Sequence, residues 1–409
     1  MGPKMLILSA SAGAGHVRAA QAIELAAREV IPDVQISNID VMTLTNAGFR
    51  RIYSKAYLNL VNSAPHVMGY VYDYFDRPRA EKDRKERLRR AFQKLNLRKL
   101  TRALTSEPWD IAVSTHFLPA EIIAMLRRSR KLSLKQVVVT TDFDTHRMWA
   151  NDPAEAYTTA TEEGKLYLCN AWGVDPARVH VTGIPIHPAF AKPRPRDTCA
   201  KQLNLQDDRP VILQLAGGFG VGPIADAYRA LLSIRTPAQI VVVCGKNEKA
   251  KRDLASIPVP QQHSAQILGY TDEMDKWMAC ADIVVSKPGG LTTSELLARG
   301  NAMLIVNPTP GQESRNSDFV LENGAGLKVN SLATLAYKAE LILSDPARLK
   351  KLQANSKSLG KPRAAYHVLQ IIQQVLSSPP TPFTAATPTL DTPQTQSPSR
   401  PMETAAPKR

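Results

Sequence analysis

Cysteine is scarce and scattered. Four residues, Cys169, Cys199, Cys244 and Cys280, lie at least thirty positions apart in a chain of 409, which excludes a disulfide framework and any C-x-x-C metal or redox motif. Long apolar runs are missing as well: Val137-Val138-Val139 and Ile240-Val241-Val242-Val243-Cys244 fall far short of the roughly 18 residues a membrane-spanning helix requires. Near the N-terminus only Met5-Leu6-Ile7-Leu8 is strongly apolar, against about 7–15 residues for a secretory signal, so this stretch reads as a buried strand and the protein as cytoplasmic. Aromatic residues make up just 6%, leaving little for stacking on nucleobases. Carboxylates at D-x-D spacing come down to Asp142-Phe143-Asp144. Positive charge, by contrast, is plentiful: 52 Lys and Arg against 37 Asp and Glu give a net +15, in a chain whose 44% hydrophobic content is ordinary for globular domains.

The surplus is concentrated. Between residues 77 and 102, twelve basic side chains accompany only Glu81, Asp83 and Glu86, so this one segment holds nine of the fifteen excess charges. Leu88, Ala91, Phe92, Leu95, Leu100, Ala103 and Leu104 recur there mostly every three or four residues, which predicts an amphipathic helix whose polar face carries Arg84, Lys85, Arg87, Arg89, Arg90 and Lys94. Such a face is simply solvated, or it docks on an anionic membrane, where each Lys or Arg contributes about 1 kcal/mol. Nucleic acid would call for interleaved aromatics, and only Phe92 is present. Just upstream, Phe49, Tyr53, Tyr57, Tyr70, Tyr72, Tyr74 and Phe75 form an irregular aromatic stretch, either a helical core face or an interfacial surface for lipid.

Elsewhere short apolar runs alternate with helical patterns, as in parallel sheets covered by helices. One series of strands is expected at 5–9, 34–40, 111–114, 136–140, 156–159 and 179–182, and a second at 211–216, 240–245, 265–268, 283–286 and 303–306. A proline-rich stretch between the two series suits a connection. The expected organisation is a first Rossmann-like domain over 1–190, a linker over 191–208, a second such domain over 209–345, and closing helices over 346–376 that could pack back on the first domain. Residues 377–409 are rich in Pro and Thr and poor in apolar residues, hence expected to be disordered.

Ligands of open α/β sheets bind beyond the carboxyl ends of the strands, and glycines gather there. After the first strand, Gly13-Ala14-Gly15-His16 opens a helix whose amides suit a phosphate or oxyanion. Position 18 is Arg18 rather than the third glycine of a dinucleotide fingerprint, which disfavours a nucleotide-dependent oxidoreductase. His16 is either a general base, kept neutral by the helix start, or a structural or solvent-facing histidine. The second series repeats the device at Gly217-Gly218-Phe219-Gly220-Val221-Gly222 and at Lys287-Pro288-Gly289-Gly290. Glu295, one turn into the following helix, can accept two hydrogen bonds from vicinal ribose hydroxyls, or is an ordinary helix-start acid. The polar stretch from Pro310 to Asn316 offers a surface that sugar recognition needs.

Seven motifs in order, each at a strand end, carry a family resemblance: the loop ending at His16; Thr141-Asp142-Phe143-x-x-His146-x-x-Trp149; Gly183-Ile184-Pro185-Ile186-x-Pro188-x-Phe190; the loop from Gly217; Cys244-Gly245-Lys246-Asn247; Lys287-x-Gly289-Gly290-x-Thr292-x-x-Glu295; and Gly311-Gln312-Glu313. Over roughly residues 5–375 the chain resembles the glycolipid glycosyltransferases related to monogalactosyldiacylglycerol synthase and the processive diacylglycerol glucosyltransferases. The resemblance implies an α/β chain of the GT-B fold, two Rossmann-like domains facing across a cleft. It implies His16 as the base that deprotonates the acceptor, or a contact to the donor diphosphate. Gly289 and Gly290 would hold that diphosphate, Glu295 the ribose, Gln312 and Glu313 the hexose hydroxyls and Tyr270 the uracil. Gly15, Gly218, Gly220, Lys246, Asn247, Lys287 and Thr292 complete the donor set. His116, Asp142, His146 and Trp149 would line the acceptor side. One departure is Ala14, where the family usually has the middle of three glycines. The implied reaction is inverting transfer from UDP-glucose or UDP-galactose to diacylglycerol or a glycolipid, without metal or other cofactor, at an anionic surface on the inner face of the cell membrane. A polyprenyl-lipid or other acceptor, or a non-catalytic nucleotide-sugar-binding protein, are the alternatives.

Overall fold

The computed structural model describes residues 2–11, 13–45, 98–217 and 222–379. Gly218, Gly220, the aromatic stretch 49–75, the tail from 380, and Arg84, Lys85, Arg87, Arg89, Arg90 and Lys94 lie outside them. The end of the basic segment is described. In the helix Arg98–Thr105, Leu100 and Leu104 are buried while Arg98, Lys99 and Arg102 face outward. No helix among the described residues is long and apolar enough to cross a membrane.

Runs of three to six residues, mostly rich in Val and Ile and too short for helices, pair in parallel and are covered on both faces. The first sheet comprises β1 (Lys4–Ser9), β2 (Gln35–Asp40), β3 (Ile111–Ser114), β4 (Lys135–Val139), β5 (Ala156–Thr159) and β6 (Val179–Val181), in the order β2-β1-β3-β4-β5-β6. The second comprises β7 (Val211–Leu215), β8 (Gln239–Val243), β9 (Ser264–Leu268), β10 (Ile283–Ser286), β11 (Ala302–Val306) and β12 (Gly326–Val329), in the order β12-β11-β10-β7-β8-β9. Strand β12 was absent from the expected series. It is a four-residue edge strand, Gly326-Leu327-Lys328-Val329, in which glycine and lysine interrupt the apolar pattern.

Strand order decides where ligands can bind. In each sheet the chain winds one way and then the other, leaving a crevice beyond the carboxyl ends of the strands where the order reverses. That point lies between β1 and β3 in the first sheet and between β7 and β10 in the second. The chain therefore leaves β1, β7 and β10 at switch points.

The chain passes between the sheets twice, and the two crossings touch. Gly183 has φ +84°, and a methyl built on it would lie 2.6 Å from Lys361 Cβ, so only glycine satisfies both the backbone and the close approach. The residues expected to form a linker are helical over Arg196–Gln202, and Cys199 and Ala200 bury against Trp277, Met278 and Cys280. The closing helices part company. Pro346–Leu359 packs on the second sheet through Leu352, whereas Ala364–Ser377 returns to the first, burying Val368, Leu369 and Ile372 with Ile23, Ala26 and Val137.

A buried ion pair ties down the helix that starts beside the crevice. His116 caps the helix Phe117–Arg128, and near its other end Arg127 meets Glu155 at 2.5 and 2.7 Å, the side chains 6% and 4% exposed. Glu155 also accepts from the Gln136 amide at 2.6 Å. Removing one partner of such a pair strands a buried charge. Glu155→Ala should therefore lower unfolding free energy in urea by about 3–5 kcal/mol, and a loss below about 1 kcal/mol, the range of a surface pair, would contradict this account.

Candidate active site

His16 sits on the first turn of the helix Ala14–Val30, beyond β1. Its Nδ1 lies 3.0 Å from the Thr115 carbonyl oxygen and 2.8 Å from Thr141 Oγ1. A carbonyl only accepts, so Nδ1 carries the hydrogen and Nε2 is left with the lone pair. The Thr115 hydroxyl donates back to the His16 carbonyl at 2.9 Å, clamping the turn. Burial lowers the ring's pKa from 6.5 to about 4, with the Thr115 carbonyl opposing. At neutral pH the ring is thus uncharged, with a basic nitrogen available.

Around it stands an aromatic wall. The His116 ring meets His16 edge-on at 4.6 Å; burial, then the charges of His16 and His146, hold its pKa well below the usual range. Its Nδ1 accepts from the Leu118 amide at 3.0 Å, so the hydrogen is on Nε2. Phe117 and His146 both pack on Trp149, at 6.1 and 5.8 Å between ring centroids. Trp149, expected in the cleft, is instead fully buried. It supports the wall rather than lining it, because its large apolar ring gains most when removed from water.

Asp142 is the second group with unusual acidity. Burial lifts its carboxyl to about 7; a hydrogen bond with Asn316 opposes this, and Asp144 and Glu313 add to it. Asp144 itself pairs with Arg315 of the second domain at 2.5 Å.

Across from His16 the second domain presents helix starts. Helices beginning at Ala14, Gly290 and Gln312 have Gly13, Gly289 and Gly311 at their N-caps, and none carries a side-chain cap. In the helix Gly290–Arg299 the first internal bond runs from Thr293 N to Gly289 O at 2.9 Å. The amides of Gly290, Leu291 and Thr292 therefore have no intrahelical acceptor and face the interdomain junction with the positive end of the helix dipole. Lys287 approaches the glycine loop at Gly222. Gln312 Oε1 is buried without a hydrogen-bond partner among the described residues, an exception to the pairing of buried polar groups. Glu313 is partly committed, accepting from the Thr309 amide at 2.6 Å. Tyr270 is 65% exposed, its phenol pKa raised chiefly by its hydrogen bond to Asp272. Lys246 is exposed, and Asn247 Oδ1 accepts from the Ala250 amide at 2.9 Å as a helix cap, which accounts for this residue type without a ligand. Glu295 is buried and bonded to the Arg18 guanidinium of the first domain. Burial raises its carboxyl pKa, Arg18 lowers it, and Asp275 raises it.

Sequence reasoning missed Thr115 as a partner of His16 and noticed Arg18 only as a missing glycine. Thr141 was quoted within a motif but given no role. Asn316, the end of the polar stretch from Pro310, lies in the helix Gln312–Glu322, four residues after Gln312 and so on the same face. The available signal was position: Thr115 stands just beyond the carboxyl end of β3, which flanks the crevice, and Thr141 just beyond that of β4, the next strand. Among the described residues no group of three or more His, Cys, Asp or Glu side chains is arranged to hold a metal ion.

Known proteins resemble this chain over most of its length. Residues 16–186 match the family described as monogalactosyldiacylglycerol (MGDG) synthase, and residues 222–368 match the glycosyltransferase family 28 C-terminal domain. The processive diacylglycerol beta-glucosyltransferase of Staphylococcus aureus (strain MRSA252) is 31% identical over 326 residues, 79% of this chain and 80% of that protein. Its counterpart in Staphylococcus saprophyticus is 28% identical over 377 residues, 91% and 92% of the two chains. The structure of Acinetobacter baumannii MurG superposes with a TM-score of 0.57 at 17% identity, covering 91% of this chain and all of that one, a likeness of fold. With two Rossmann-like domains facing each other in the GT-B arrangement and both halves matched, the chain belongs to the glycosyltransferase family 28 enzymes, alongside the monogalactosyldiacylglycerol synthases and the processive diacylglycerol glucosyltransferases.

Proposed function

We propose that this protein transfers a hexose, with inversion, from UDP-glucose or UDP-galactose to diacylglycerol or a glycolipid at an anionic membrane surface. The observation that carries this is the apposition of His16, held as one tautomer with Nε2 basic, to the uncapped start of the helix at Gly289 and Gly290. The acceptor hydroxyl gives its proton to Nε2 as its oxygen forms a bond to the sugar's C1. The bond from C1 to the phosphate oxygen breaks, and UDP departs with its electron pair. Its charge develops against the amides of Gly290, Leu291 and Thr292, the helix dipole and Lys287, donors oriented before the reaction begins. A diphosphate in this desolvated site also raises the proton affinity of His16 when it is needed. The Thr115 carbonyl then holds the imidazolium. For Glu295 to take the ribose hydroxyls, Arg18 must share or release it. No step is assigned to a metal.

Membrane docking through residues 77–102 is supported by the charge concentrated there and by the outward basic residues of its described end. On this reading the enzyme works bound peripherally at the cytoplasmic face of the cell membrane, beside its lipid acceptor.

Labelled UDP-glucose and UDP-galactose, offered separately with dioleoylglycerol in phosphatidylglycerol vesicles, test the chemistry once the lipids are resolved. His16→Ala should lower kcat by about 10²–10⁴ while UDP binding is kept. Retained turnover would remove His16 as the base, and loss in Asp142→Asn alone would assign that role to Asp142. A protein that binds UDP yet labels no lipid would be a nucleotide-sugar binder instead. For docking, neutral phosphatidylcholine vesicles or high salt should depress transfer to lipid and leave UDP affinity unchanged, since screening acts on exposed charges. Equal loss of both would contradict it.

A further inference from the structure

The loop facing the donor and the ring facing the acceptor belong to different domains, and one residue touches both. Thr141 is buried just beyond β4. Its hydroxyl lies 2.8 Å from His16 Nδ1. Its carbonyl oxygen faces Gly290: a methyl built there would lie 2.3 Å from that oxygen and 3.3 Å from Ile184 Cδ1. No β-carbon approaches a carbonyl oxygen so closely, so the contact itself demands glycine. Asn316, 1% exposed, bolts the same two loops together, accepting from the Phe143 amide at 3.1 Å and donating to the Pro288 carbonyl at 3.0 Å. Behind them lies a cavity of about 240 Å³ lined by Phe143, Ile184, Ser294, Leu297 and Phe319. Beside it the junction is packed: Phe143, Ile184, Leu291 and Leu297 share one buried cluster and Phe143 stacks on Phe319 at 4.5 Å between ring centroids, so apolar burial as well as Asn316 seats Gly290 on Thr141.

We propose that Thr141 is a positioning residue that makes the orientation of His16 depend on seating of the donor loop. This rests on His16 being the base and Gly290 belonging to the donor loop. With Gly290 pressed on its carbonyl, Thr141 cannot shift, and its hydroxyl keeps Nδ1 in place so that Nε2 meets the acceptor. When the domains part, the carbonyl is free to move and the ring loses that support. Proton abstraction is thereby confined to the closed state.

The test is steady-state transfer from UDP-glucose, and separately UDP-galactose, to dioleoylglycerol in phosphatidylglycerol vesicles, together with calorimetric titration of UDP. Thr141→Val keeps the shape and removes the hydroxyl. Its kcat should fall about 10- to 100-fold, as for a catalytic group misplaced by a fraction of an ångström, with donor KM and UDP affinity within about threefold of wild type. Thr141→Ser should restore kcat to within about threefold. Gly290→Ala should lower kcat at saturating donor, and adding Thr141→Val to it should cost little more, because both act through one ring. Thr141→Ala serves in place of the valine variant should that fail to fold. A valine or alanine variant with wild-type kcat would overturn the proposal, as would equal losses of kcat and UDP affinity, or losses that multiply in the double variant. His16→Ala separates the two levels. If it stays active, the base assignment fails; if it is inactive while Thr141→Val is not, only the coupling fails.

Discussion

A backbone carbonyl can accept a hydrogen bond and never donate one, and the Thr115 carbonyl lies 3.0 Å from Nδ1 of His16. Most of the site's chemistry hangs on that contact, and the sheet sets it. Strands β1 and β3 pair in parallel with Leu8 opposite Ser114, and the Thr115 amide continues the ladder to the Leu8 carbonyl at 2.9 Å. The register of two buried strands thus brings the loop after β3 beneath the turn after β1. A one-residue slip would turn every side chain to the opposite face and leave the histidine without its carbonyl. The strand order that places β1 beside β3 also creates the crevice into which the ring's other nitrogen opens.

Desolvation then acts on His16 and Asp142, two titratable groups of the first domain, in opposite directions. It disfavours the charged form of each, moving His16 down to about 4 and Asp142 up to about 7. A neutral imidazole and a carboxyl whose ionisation burial opposes present little charge of their own to an anionic substrate. The attraction comes from Lys287 and from fixed dipoles, the three uncapped helix starts behind Gly13, Gly289 and Gly311. These require no reorganisation when UDP leaves. Glu295 is the exception, a buried carboxylate that the Arg18 guanidinium neutralises from the opposite domain.

What could be read from the sequence follows the range of the interactions involved. Strands such as Val137-Val138-Val139 declare themselves because burial on both faces leaves an unbroken apolar run, and the glycine loops because turns require them locally. Gly326-Leu327-Lys328-Val329 escaped because an edge strand has one side to solvent and need not be apolar. Trp149 looked like a cleft residue by its place in a motif, yet its size sends it into the core. Asn247 looked like a ligand for the same reason and caps a helix. The contacts that organise the site leave no local trace at all. Arg18 and Glu295 are 277 positions apart, and Phe143 and Asn316 are 173, so only the fold brings them together.

The tautomer and charge of His16 are the most direct test of this account. Nitrogen-15 correlation spectra of the histidine rings, with the His16 signals assigned by their loss in His16→Gln, report which ring nitrogen carries the hydrogen and at what pH the second proton binds. A half-buried ring hydrogen-bonded to the Thr115 carbonyl should show hydrogen on Nδ1, a bare Nε2, and no protonation from pH 8 down to pH 5, because its pKa is lowered to about 4. Hydrogen on Nε2, or titration near the ordinary value of about 6.5, would contradict it.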